Sequence, residues 1–104
     1  MRNADVVDNF IRGNDDCKGS NLYSENGELI NYTTLIALRH PMGLVLNGDS
    51  YSRSTSTHQN RIRRSGVEYI ETTEKGIYEI RDTGHTSEEQ VFSRNDKPLE
   101  DKDM

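Results

Sequence analysis

The sequence predicts an α+β fold: a small antiparallel sheet built of hairpins, with one or two short helices on one face and a flexible acidic C-terminal tail. The prediction starts from helical spacing of Val6, Val7, Phe10 and Ile11 near the N-terminus. It rests equally on the Asn26-Gly27 pair, flanked by Leu22-Tyr23 and Leu29-Ile30, and on the β-branched apolar run Tyr32–Arg39. One period is 3.6 and the other two segments are extended, so the chain mixes helix and antiparallel strand. A chain of 104 residues has room for one domain. Residues 1–84 are expected to form it, and residues 85–104 to form a flexible charged tail ending in Lys97-Pro98-Leu99-Glu100-Asp101-Lys102-Asp103-Met104.

Taken in order, the first element is a helix over Ala4–Arg12. Asn3 suits its N-cap, Asp5 favours the positive end of the dipole, and Gly13 suits its end. Two turns are marginal alone, so this helix must dock on something. Asn14–Ser20 is loop-like. Asn26-Gly27 then predicts a tight hairpin, because both central residues of a type I′ turn need positive φ. Tyr32–Arg39 reads as a central strand, apolar on both faces. Pro41-Met42-Gly43 turns it into a short strand, Leu44–Leu46, closed by Asn47-Gly48-Asp49. Ser56 and Gln59 fit a capping box, which predicts a second helix over Thr57–Ser65. Val67–Thr72 and Ile77–Arg81 read as a third hairpin around Glu74-Lys75-Gly76.

Composition excludes several classes. Hydrophobic residues make up 31% of the chain and there is no Trp, so the core is small. The mean hydropathy is −0.93, and no run approaches the roughly 18 apolar residues of a membrane span. The single Cys17 has no internal disulfide partner, and the N-terminal residues carry no apolar signal core, so a cytoplasmic protein is expected. Asn31-Tyr32-Thr33 matches a glycosylation acceptor, a coincidence in such a protein. His40, His58 and His85 are far apart and lack metal-ligand spacing, so no metal or other cofactor is expected. Asp15 and Asp16 beside Cys17 oppose thiolate formation. No nucleotide-binding or nucleophile-elbow motif occurs, and the Ser/Thr-His run at 54–58 is explained by capping, so no catalytic residues and no enzyme are expected.

Charge is unevenly placed. The window Ser50–Val67 holds four arginines and no acid, which leaves 9 of the 13 basic residues to face all 18 acidic ones elsewhere. The candidate binding residues are Tyr51, Arg53, Ser54, Thr55, His58, Gln59, Arg61, Arg63 and Arg64. Hydroxyls and free amides at a helix start, with Arg53, suit an anion, and Arg61, Arg63 and Arg64 suit a phosphate backbone or an acidic protein surface. Tyr51 is placed to stack on a base. The alternative is a solvated helix face, with Ile62 buried and the arginines paired to Glu68, Glu71 or Glu74. Cations near a helix C-terminus are favourable in any case.

Three stretches carry a family resemblance. They are Gly19-Ser20-Asn21-Leu22, the strand Tyr32-Thr33-Thr34-Leu35-Ile36-Ala37-x-Arg39, and Tyr51-Ser52-x-Ser54-Thr55-Ser56-Thr57-His58-Gln59-Asn60 with Arg63-Arg64. Together they resemble a family of small uncharacterised proteins of bacteriophages and other mobile elements, whose members pair a short N-terminal helix with "S-Y-x-T-x-I-A" and "Y-S-x-T-T-S-x-H-Q" segments. Ser54 departs from the pattern, which usually has Thr there. The resemblance spans about Val6 to Val67 and implies a phage or prophage origin. By analogy with phage accessory proteins of this size, it implies an inhibitor of a host or defence nucleoprotein complex, anti-CRISPR-like in kind, acting in the host cytoplasm through protein contacts. The other reading is a small nucleic-acid-binding module using Arg53, Arg61, Arg63 and Arg64.

Overall fold

Nine elements are present in the computed structural model, which describes residues 1–41, 43–86 and 91–93. In chain order they are α1 (Asn3–Ile11), β1 (Leu22–Glu25), β2 (Glu28–Asn31), β3 (Thr34–His40), β4 (Gly43–Asn47), α2 (Arg53–Arg64), β5 (Tyr69–Thr72), α3 (Glu74–Thr83) and β6 (Val91–Ser93). The strands form one sheet in the order β1-β2-β3-β4-β5-β6. Every neighbouring pair is antiparallel except β4–β5, which is parallel. The α+β class therefore holds, with a mixed sheet in place of a purely antiparallel one. A parallel pair needs a crossover, and α2 is that crossover.

The first two hairpins form as expected. Asn26 and Gly27 take φ of 54° and 79°, so the turn uses the left-handed region that this residue pair tolerates best. In β2–β3 the register shifts between Leu29 and Ile30: Leu29 faces Ala37 and Ile30 faces Leu35, leaving Ile36 as the extra residue of a β-bulge. The bulge turns Ile36 and Ala37 toward the same core, with Leu29, while Leu35 and Leu38 belong to the other. The four apolar residues Leu35–Leu38 are accordingly buried on two faces at once.

Those two cores define the layers. On one face, Val6, Val7 and Phe10 of α1 and Ile62 of α2 pack over Leu22, Leu29, Ile36, Leu44 and Leu46. On the other, Ile77 and Ile80 of α3 pack over Leu35, Leu38 and Val45. Helices thus cover both faces rather than one.

Three further expectations need correction. Residues Ile77–Arg81 are helix, not the second strand of a third hairpin. Thr73 caps that helix by accepting from the Gly76 amide at 3.0 Å, Ile77 and Ile80 share a face, and Gly84 ends it at φ 90°. Gly76, read as a turn, lies in the first helical turn instead. The second helix begins at Arg53, with Ser52 as its cap, not Ser56. Its buried stripe is Thr55, His58, Gln59 and Ile62, at i, i+3, i+4 and i+7. Three of those four are polar, which conceals the stripe from a hydrophobicity pattern. Asn3 lies inside α1 behind Arg2, and its side chain bonds to the Ser20 amide and the Asn21 side chain rather than capping.

Part of the expected tail, Val91–Ser93, pairs with β5. Residues 87–90 and 94–104 of that expectation lie outside the described residues.

Candidate functional site

Three of the motif residues on α2, Thr55, His58 and Gln59, turn inward. Gln59, 2% exposed, donates through Nε2 to the carbonyls of Asn47 (2.6 Å) and Asp49 (3.0 Å), tying the crossover helix to the end of β4. Asn47 in turn donates to the Leu35 carbonyl (3.0 Å) and to the Tyr51 Oη (2.9 Å). Tyr51 is half-buried, and burial pushes its phenol pKa up. Its hydroxyl is engaged by Asn47 within the chain. Asp49 accepts from the Glu74 amide at 2.8 Å, which anchors the start of α3.

Thr55 Oγ1 donates to Asn31 Oδ1, and Asn31 Nδ2 donates to the Asn21 carbonyl at 2.9 Å. Asn21 also takes a bond from Asn3 Nδ2 (3.1 Å) and gives one to Tyr32 Oη (3.1 Å). This chain of side chains joins α1, the residue before β1, the end of β2 with its turn to β3, and α2. Asn31 is fully buried within it, so the apparent glycosylation acceptor is a structural residue. Ser54 is exposed, with its hydroxyl beside that of Ser52. Thr57 Oγ1 donates to the Arg53 carbonyl, not to His58. The hydroxyls here serve the helix start and do not form a nucleophile–base pair.

The four arginines divide into two classes. Arg61 forks onto Asp8 of α1, Nε to Oδ1 at 2.9 Å and Nη2 to Oδ2 at 2.8 Å. That guanidinium holds the Asp8 carboxyl below the usual carboxylate range. Arg63 forks onto Glu71 of β5, both contacts at 3.1 Å, and gives a third bond to Asn60. Arg53 and Arg64 are exposed and form no ion pair with another described residue. Glu71 was foreseeable from its nearness in sequence. Asp8, 53 residues from Arg61, was not among the partners expected for the arginines; the visible clue was a short acidic helix obliged to dock on the same core as a basic one.

Between α1 and α2 lies a cleft of about 560 Å³, lined chiefly by Asn3, Asp8, Thr57, His58, Arg61 and Arg64. His58 is 6% exposed, and its Nε2 is buried with no hydrogen-bond partner among the described residues. Burial lowers the imidazole pKa below its ordinary value of 6.5, so the ring is neutral at pH 7. An orphaned nitrogen of this kind costs on the order of 1–3 kcal/mol, which marks it as the unusual atom of the region. The cleft is therefore lined by a guanidinium, that of Arg64, with no ion-pair partner among the described residues, by the Asp8–Arg61 pair and by the buried imidazole. Among the described residues no group of three His, Cys, Asp or Glu converges as a metal site would require, and no helix is long and apolar enough to cross a membrane.

No family model, curated protein or solved structure matches this chain.

Proposed function

We propose that this is a non-enzymatic, phage-encoded binding protein that inhibits a host or defence nucleoprotein complex in the host cytoplasm through protein–protein contacts, using the α1–α2 face. The observation that carries this reading is the division of the arginines. Asp8 and Glu71 neutralise Arg61 and Arg63 internally, so what was a basic band in sequence becomes a mixed-charge surface in space. Acidic residues of α1 stand directly against α2, and an extended polyanion would meet them as well as the arginines. Mixed charge around a cleft suits a protein surface with its own alternating charges. The hydroxyls near Arg53 are engaged in local bonds, and His58 has neither a nucleophile nor a carboxylate bonded to Nε2, which supports binding without turnover.

One observation favours the nucleic-acid reading. Arg53 and Arg64 lie nearly in line on α2, about 16 Å apart at roughly 1.5 Å per residue, a span that reaches separate phosphates. Fluorescence anisotropy with single- and double-stranded oligonucleotides at low salt tests between the two. The protein-directed reading expects no measurable affinity. Binding whose logarithm falls with log salt at a slope near −2, reduced by about one unit in Arg53→Ala, would establish the nucleic-acid reading instead.

A further inference from the structure

We infer that Asn26-Gly27 is a self-modification site, where the side-chain amide of Asn26 is lost to give aspartate and isoaspartate with water as co-reactant. The fold shields the second Asn-Gly pair, Asn47-Gly48, from the same reaction. This goes beyond the proposed function and does not depend on it. The reaction balances without a cofactor. The Gly27 nitrogen bonds to the side-chain carbonyl carbon of Asn26, the bond from that carbon to Nδ2 breaks, and the Gly27 amide proton leaves with Nδ2 as ammonia. Water then opens the resulting succinimide at either carbonyl, giving aspartate or isoaspartate. Glycine after the asparagine hinders this approach least, because it has no side chain beside the attacking nitrogen.

The two pairs are identical in sequence and opposite in setting. Asn26 is exposed, and its side chain makes no hydrogen bond to another described residue. Its turn joins β1, a terminal strand of the sheet, to β2. Glu25 and Glu28 lie directly opposite each other across that turn, a register in which like charges weaken pairing. Ring closure swings the Gly27 nitrogen toward the side-chain carbon, a rotation the closed turn resists, so the reaction passes through local opening of the tip. Two bonds oppose that opening: Gly27 N–H donates to Asp15 Oδ1 at 3.2 Å, and Arg39 N–H to the Gly27 carbonyl at 2.8 Å. Asn47, by contrast, is fully buried. Its Nδ2 donates to the Leu35 carbonyl and to Tyr51 Oη, and its Oδ1 accepts from the Asp49 amide. Gly48 N–H, the corresponding nucleophile, donates to the Thr72 carbonyl at 2.8 Å. Only opening of the core frees these groups, a state populated at roughly one part in a thousand or less. Conversion at Asn26 adds a negative charge next to Glu25 and near Asp15. Asp15 is held in turn by Arg39, whose guanidinium donates to the Phe10 carbonyl in α1, so a lost Gly27 contact is felt at Arg39.

The test is incubation of the full chain at neutral pH in oxygen-labelled water, once folded and once in concentrated guanidinium, with peptide mass spectrometry reading the label at positions 26 and 47. Unfolded, both pairs should take up label at similar rates, since the dipeptides are the same. In the folded chain label should accumulate at position 26, divided between aspartate and isoaspartate, and stay absent at position 47. Asp15→Ala removes one of the two bonds that close the tip. It should speed folded-state labelling at position 26 by roughly two- to tenfold and leave the unfolded rate unchanged. Conversion of the parent should also move the Gly27 amide and Arg39 guanidinium signals in NMR spectra. Three results overturn the inference: no detectable label at position 26 in the folded chain once the unfolded sample has converted, equal folded-state labelling at 26 and 47, or unchanged or slower labelling in Asp15→Ala. Should Asp15→Ala fail to fold, the comparison of the two positions in the parent chain decides alone.

Discussion

Replacing Gln59 by Leu isolates what the His58-Gln59 motif is for. Leu keeps nearly the same volume on the buried face of α2 and removes only the amide. The side chain is 2% exposed and makes two bonds, at 2.6 Å to the Asn47 carbonyl and at 3.0 Å to that of Asp49. Each bond is worth about 1 kcal/mol net, and each carbonyl left without its donor adds a comparable penalty, so the loss should be about 2–4 kcal/mol. Domains of this size have total stabilities of roughly 5–15 kcal/mol, so the variant should fold but unfold early. With a urea slope of about 2 kcal/mol/M, the midpoint should fall by roughly 1–2 M at unchanged slope. Far-UV circular dichroism is the suitable probe, since the chain has no Trp. Thr57→Val, on the exposed face of the same helix, should stay within about 0.5 kcal/mol of the parent. A Gln59→Leu midpoint within about 0.3 M of the parent would refute the reasoning, for then the motif glutamine would not be holding α2 to β4.

Two further outcomes follow from the same geometry. Because burial depresses the folded-state pKa of His58 below 6.5, the unfolded chain binds more protons there, and stability should fall as pH drops below about 6.5, levelling off once the depressed pKa is passed. His58→Asn should flatten that segment of a urea-midpoint series against pH, while leaving the separate loss below about pH 4 that Asp8 contributes through its lowered pKa. Gly48→Ala would place a Cβ 2.3–2.6 Å from Oε2, Cγ and Cδ of Glu71, pushing that side chain off Arg63. A loss of about 1 kcal/mol in urea unfolding and a shifted Arg63 Nε–H signal are expected, and an unchanged Arg63 signal would count against it.

The parts of this fold that were legible in the sequence are those whose causes are local. Helical spacing at Val6, Val7 and Phe10 and the positive-φ pair Asn26-Gly27 each act within a few residues, and both elements are where they were expected. The start of α2 was not legible, because three of the four residues of its buried stripe, Thr55, His58 and Gln59, are polar, and the partners that draw Thr55 and Gln59 inward, Asn31 and Asn47, are distant in sequence. The third helix was obscured by Gly76 between Thr73 and Ile77, a placement that suits a turn as readily as a first helical turn. Ile36 gives no local sign of a bulge; register against Leu29 creates it. The same distinction divides the site. The density of arginine on α2 is plain from the letters, but which arginines pair among the described residues, Arg61 and Arg63 and not Arg53 or Arg64, depends on Asp8 and Glu71 arriving from other elements. Within the Tyr51–Asn60 stretch, Thr55 and Gln59 fasten α2 to β2 and to the end of β4, whereas His58 Nε2 has no partner among the described residues.

The central claim is that the α1–α2 face engages a protein and that nucleic acid is not required. Capture of tagged protein from a nuclease-treated bacterial lysate, run beside Arg64→Glu, addresses it most directly. The account predicts one protein recovered at a fixed ratio to the bait, insensitive to nuclease and lost in Arg64→Glu. Recovery of nucleic acid alone, or of a complex that dissolves on nuclease treatment, would contradict it.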